Sequence, residues 1–153
     1  MAGMTAQFQI TVDCLEPGIL VPFWVEALQY VVEPTPSGLP TWNEHWRSIG
    51  VPEHELPTDR DAADSIVDPT GRGPRIWFQQ VPEAKAVKNR LHLDIKVGGG
   101  RSVPLPERRE RVFREADRLI ALGATRLRVI EGGGVDHVGV VLQDPAGNEF
   151  CIA

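Results

Sequence analysis

Asp144-Pro145-Ala146-Gly147-Asn148-Glu149-Phe150-Cys151-Ile152-Ala153 are the last ten residues of the sequence, and they read as a turn running into a strand. Asp-Pro opens the turn, and Gly147-Asn148 can take the positive backbone angles that complete it. Beyond the turn, alternation sets Glu149 and Cys151 on one face and Phe150 and Ile152 on the other. A carboxylate and a thiol on one strand face are either site groups or a solvated edge, and the rest of the chain has to decide between them.

Working back from this strand, residues 137–143 and 125–130 have the apolar content of two more strands. Before them, residues 107–122 carry Val112, Phe113, Ala116, Leu119, Ile120 and Leu122 at helical spacing, with Gly123 as a C-terminal stop. Leu91-His92-Leu93-Asp94-Ile95-Lys96-Val97 alternates strictly and predicts a strand. The first half follows the same order. Phe8, Ile10 and Val12 alternate with Gln9, Thr11 and Asp13, and Pro17 then opens a helix over residues 17–30 on Ile19, Leu20, Phe23, Trp24, Ala27 and Leu28. Pro22 is awkward inside that helix, because it removes a backbone donor. A proline-rich excursion follows (Pro34, Pro36, Pro40, Pro52, Pro57), within which residues 40–49 predict a short helix carrying Trp42, His45 and Trp46. Strands over 65–68 and 75–81 flank the turn Asp68-Pro69-Thr70-Gly71-Arg72-Gly73. The expectation is an α+β fold: one domain over 1–153 made of two tandem βαβββ modules, about 7–81 and 90–153. A curved mixed sheet would surround a cleft, with the helices on its outer face.

Composition narrows the function classes. At 153 residues the chain is long enough to bury one good core, and its 42% hydrophobic and 24% charged content is that of a globular protein. A net charge of −5 argues against a nucleic-acid groove. No apolar run reaches the roughly 18 residues a membrane span needs, and Met1 to Gln9 lack a secretory pattern. Cys14 and Cys151 form neither a metal-binding spacing nor a disulfide framework. A cytoplasmic protein with no nucleic-acid or membrane partner is expected.

Helices cover one face of each sheet, so parity assigns the other. That face presents Gln9, Thr11 and Asp13, then Trp77 and Gln79, then His92, Asp94 and Lys96, and finally Glu149 and Cys151. If two half-sheets curl around a shared cleft, these rows line it. The plain alternative is a sheet showing water its polar side. Trp77 favours the cleft, since a large aromatic in a polar row calls for a ligand or a lid.

These features together resemble the glyoxalase/bleomycin-resistance/dioxygenase superfamily, the vicinal oxygen chelate fold. The resemblance rests on the doubled strand-helix-three-strand order, Phe23-Trp24 before Ala27-Leu28, His92 in a strand, Leu122-Gly123-Ala124 after the second helix, and the terminal Asp-Pro-x-Gly-Asn. Lys88-Asn89-Arg90-Leu91-His92-Leu93-Asp94 and Gly147-Asn148-Glu149-Phe150-Cys151 resemble its glyoxalase-like branch of unknown function. The resemblance implies metal ligands from the first, fourth, fifth and eighth strands. By motif position these fall on Gln9, on Trp77, which cannot ligate, on His92, and on Cys151 with Glu149 two residues earlier on the same face. Only His92 is a standard match. Gln9, His92, Glu149 and Cys151 thus remain candidates for a divalent ion such as zinc, nickel, manganese or iron, while a pocket with no metal cofactor is the favoured reading. A homodimer is a further expectation from the resemblance.

The candidate roles follow from side-chain chemistry. His92 can serve as a general acid or base, and Glu149 can act as a base if burial raises its pKa. Cys151 needs thiolate character, for which no cationic neighbour is assignable from sequence. Trp42 and Trp46, with His45, either cap the cleft or pack the excursion onto the sheet. Lys88 and Arg90 could attract an anionic ligand or be solvated. The two Gly runs, Gly98-Gly99-Gly100 and Gly132-Gly133-Gly134, read as flexible connections, and Arg108, Arg109, Arg111 and Arg114 among Glu107, Glu110 and Glu115 read as a salt-bridged solvent face. The leading function is binding of a small organic ligand, by sequestration or slow transformation, with Gln9, Thr11, Asp13, Trp42, Trp46, Trp77, Gln79, Asp94 and Cys151 as its contacts. The alternative is a divalent-metal-dependent lyase or isomerase of the glyoxalase type, and a purely structural interaction domain is a third reading.

Overall fold

The computed structural model describes residues 6–132 and 136–153, and the chain divides into two compact units between Ala84 and Lys85. In the first unit, β1 (Ile10–Cys14) leads into α1 (Pro17–Leu28) and β2 (Val31–Val32). The excursion then carries α2 (Trp42–Ser48) and a 3-10 turn (Glu53–Glu55) before β3 (Ser65–Val67) and β4 (Ile76–Gln80). In the second unit, β5 (Asp94–Ile95) is followed by α3 (Leu105–Ala121), β6 (Thr125–Glu131), β7 (Val138–Gln143) and β8 (Glu149–Ile152). The strands form two four-stranded sheets, ordered β1-β4-β3-β2 and β5-β8-β7-β6. In each, the first strand lies parallel to the last and the remaining pairs are antiparallel. The doubled pattern is therefore a doubled topology, the α+β fold of two tandem modules that the sequence predicts, each with a four-stranded mixed sheet; neither sheet closes into a barrel.

Local chemistry accounts for the elements. Pro17 sits in the first turn of α1, whose Leu20, Val21, Phe23, Trp24 and Ala27 are buried; Pro22 is exposed, and so is Ile19, which leaves the predicted apolar face. Thr41 caps α2 through a complete capping box with Glu44. α3 buries Val112, Ala116 and Leu119 against its sheet. Leu122 lies past its end and is exposed, while Gly123 takes φ 113° there.

Four expectations are corrected. β2 arises from Val31 and Val32, which were unassigned in sequence and pair with β3. The predicted strand over 91–97 shrinks to Asp94–Ile95: in the parallel register Leu91, 90% exposed, falls opposite Asn148, ahead of β8, and β8 ends at Ile152, opposite Ile95. Backbone bonds from Cys151 N to Leu93 O and from Val97 N to Ala153 O carry the pairing slightly further. Arg108, placed by pattern on a solvent face, is buried: its Nε donates to Val103 O and its guanidinium pairs with Asp136. Finally, α3 begins at Leu105, two residues ahead of the predicted start, with Pro106 in its first turn. The second Gly run lies mostly outside the described residues.

Candidate functional site

The first unit builds its polar face on β1 and β4, whose parallel register sets Thr11 beside Trp77 and Asp13 beside Gln79. Thr11 and Asp13 are exposed, while Trp77 and Gln79 are half-buried. Trp77 is held in place: its indole N–H donates to Asp64 Oδ2 at 2.9 Å. Trp77 and Gln79 then line a groove of about 610 Å³, which is also bounded by Leu56, Phe78, Arg60 and Asp64. Such a mix of aromatic, apolar and a few polar groups is what small organic ligands use.

Arg75, absent from the sequence candidates, organises the neighbouring row. It forms a bidentate pair with Glu33, with Nη2–Oε2 at 2.6 Å, and donates to Ser65 Oγ at 2.7 Å and to Gln9 Oε1 at 2.9 Å. Its parity with Trp77 and Gln79 could have revealed it. The consequence for Gln9 is direct. The amide oxygen a cation would need already accepts from a guanidinium, which repels a metal ion.

Trp42 is buried at 8% exposure, and its indole N–H donates to Glu33 O at 2.8 Å. It packs against His45 and Trp46 at 5.4 and 5.5 Å between ring centroids, and His45 Nδ1 bonds Ser37 Oγ. These contacts tie the excursion together. Trp46 keeps part of its ring accessible.

In the second unit, parallel register sets Asp94 opposite Cys151, and His92 Nδ1 lies 3.0 Å from Asp94 Oδ1. One donor atom from each of His92, Asp94 and Cys151 lies within 4.8 Å of the others. Burial pushes the Cys151 thiol pKa up, the Asp94 charge and the hydrogen bond to Asp94 add to this, and Arg128 and Lys88 oppose it only partly. The thiol therefore stays protonated at neutral pH, which removes the condition for a nucleophile.

Glu149 shows the opposite of the raised pKa a general base would need. The backbone N–H of Asn89, 3.0 Å from Oε2, is the main cause holding its carboxyl below the ordinary range, and Lys85 Nζ at 3.2 Å adds to it. Glu149 anchors residues 85–89 to β8. Of the four positions the family resemblance implies, one is a tryptophan, one accepts from Arg75, and the last is Cys151, whose neighbour Glu149 is engaged by Lys85 and Asn89, so the family's usual four-ligand cluster does not fit these residues.

Paired four-stranded mixed sheets, each with its first strand parallel to its last, define the vicinal oxygen chelate fold class. Among solved structures, a glyoxalase/bleomycin resistance protein/dioxygenase family enzyme from Burkholderia phytofirmans PsJN is similar with a TM-score of 0.55 and 18% identity, covering 94% of both chains. The fosfomycin resistance protein FosX of Listeria monocytogenes, as a mutant complexed with Mn(II) and 1S,2S-dihydroxypropylphosphonic acid, is similar at TM-score 0.55 and 10% identity, covering 99% of this chain and 89% of that one. FosX from Mesorhizobium loti follows at 0.53 and 10%, covering 99% and 91%. At such identities the likeness establishes the fold. No curated protein sequence matches. The family model described as a glyoxalase-like domain matches residues 9–153, and the chain belongs to that family, within the glyoxalase/bleomycin resistance/dioxygenase superfamily. Among the described residues no helix is long and apolar enough to cross a membrane.

Proposed function

We propose that this protein binds a small, partly aromatic organic molecule in the groove beside β4, and sequesters or slowly transforms it without a metal cofactor. The observation that carries this reading is Trp77: half-buried, locked by Asp64, and bordering a groove of ligand size together with Gln79. An aromatic face held rigid costs little entropy on stacking, and the neighbouring amide can fix the ligand's orientation. In the second unit, Asp94 orients the ring of His92, which makes His92 the candidate general acid or base of that unit.

The test is a tryptophan-fluorescence titration with a panel of aromatic organic compounds, bleomycin included, and with fosfomycin as a non-aromatic member, on the wild type and Trp77→Leu. A panel member should quench saturably in the wild type. Losing a stacking contact of about 1.5 kcal/mol should weaken it about tenfold in the variant. Equal affinity in both proteins would refute the assignment of Trp77.

One observation favours a second reading, a divalent-metal-dependent lyase or isomerase: the clustered imidazole, carboxylate and thiol of His92, Asp94 and Cys151. Those donors suit zinc in type and number, and would hold an ion within the second unit alone. Chelator-sensitive binding or turnover would favour it over the metal-free reading.

A further inference from the structure

Gly98, Gly99 and Gly100, between β5 and α3, border a second cavity, of about 180 Å³. Gly99 and Gly100 hold φ of 87° and 83°, a succession only glycine accepts without strain. The charged side chains around the cavity are Lys96, Arg101, Arg108 and Asp136, with His137 beside them. Three cationic side chains face one carboxylate side chain, with Ala153 also at the border, although the whole chain carries a net charge of −5. The carboxylate is already taken, since Asp136 pairs with Arg108.

Arg108 is the anchor of this arrangement. Its side chain is only 8% exposed, and it is fixed by Val103 O and by the backbone and carboxylate of Asp136. A guanidinium has five N–H donors, so these three contacts leave two of them over. Lys96 and Arg101 have no carboxylate within ion-pair distance among the described residues, and both border the same space. Like charges gathered at one cavity repel, and an anion between them would relieve that repulsion. The volume lies below the roughly 300 Å³ at which pockets begin to accept drug-sized molecules, so it suits a small group. The Gly run offers open backbone at Gly100, where nothing lies within 4 Å of the missing Cβ, while Arg111 and Val103 fill that space at Gly99 and the Gly98 N–H donates to Ala153 O.

We propose that this cavity is an oxyanion site for a phosphate-type dianion, either free or as the head group of a larger molecule. Lys96 and Arg101 supply the mobile cations and Arg108 the fixed one. A dianion is favoured over a monocarboxylate because three positive groups converge there. The site lies wholly in the second unit, and its test is independent of the Trp77 groove.

The experiment is an amide NMR titration of the full chain with inorganic phosphate, at ionic strength held constant with sodium chloride. Saturable shifts of the Gly98, Gly99 and Gly100 amides are expected, and Lys96→Ala/Arg101→Ala should weaken them tenfold or more while the remaining spectrum stays that of the folded protein. A parallel titration with phenyl phosphate separates the two sources: tighter binding points to a phosphorylated molecule, equal binding to the free ion. Shifts that do not saturate, that chloride alone reproduces, or that the double variant retains would overturn the proposal.

Discussion

Phe150→Ala is expected to destabilise the protein by about 3–5 kcal/mol, the range for truncating a fully buried aromatic. Phe150 is 1% exposed on β8, which is hydrogen-bonded on both sides, to β5 and β7. Its side chain lies on the same face as Ile152, also fully buried, and opposite Leu142 in the register with β7. The cavity would therefore open at the centre of the second sheet, where neighbours paired on two sides cannot collapse to fill it. For a chain of this length the loss corresponds to a fall in Tm of about 10 °C or more. Cys151→Ala, one residue on and facing the other way, should cost about 1 kcal/mol or less. Thermal melts followed by circular dichroism compare the two, and equal losses would contradict the assigned faces of β8.

The second large effect is expected at Asp144, which is 3% exposed although ionisable. Its Oδ1 accepts from Ala146 N and Asn148 N, both at 2.9 Å, and its Oδ2 accepts from the Asn148 side-chain amide at 3.0 Å. Asp144 N also bonds Asn148 O, closing the turn around Gly147 at φ 88°. Asp144→Ala strands three donors together. Water reaches the half-buried Ala146 and Asn148, so the expected cost is about 2–3 kcal/mol and not the full sum of three charged hydrogen bonds. Asn148→Ala removes one donor and leaves the carboxylate its two backbone bonds, so about 1 kcal/mol is expected. Urea denaturation of both variants would check the order, and a milder effect at Asp144 than at Asn148 would contradict it.

These two residues also mark what can be read from sequence. The turn over 144–148 is legible because its chemistry is local: every partner of Asp144 described above lies within four residues. The face assignments of β1, β4 and β8 are legible because strand parity is a two-residue period. Contacts between distant residues are not. Gln9 meets Arg75 across 66 positions and Glu149 meets Asn89 across 60, so the sequence shows two free polar side chains where the fold has two engaged ones. Arg108 has the same cause. Its sequence neighbours Glu107 and Glu110 suggest a solvent face, although its spacing to Val112, Ala116 and Leu119 is that of the buried face of α3, and the partner that lets it be buried, Asp136, stands 28 positions away. The strand over 91–97 fails differently, because its alternation is sound but its neighbour is too short to pair with all of it.

On the reading proposed above, Gln9, Trp77, His92 and Cys151, with Glu149 beside it, do not make a metal centre, and ligand binding proceeds without one. Metal content by mass spectrometry, on untagged protein grown with zinc, manganese, iron and nickel available, tests it most directly alongside His92→Ala. The account predicts trace metal in both proteins. Near-stoichiometric metal in the wild type that disappears in His92→Ala would contradict it, and would make Asp94 and Cys151 the next ligands to substitute.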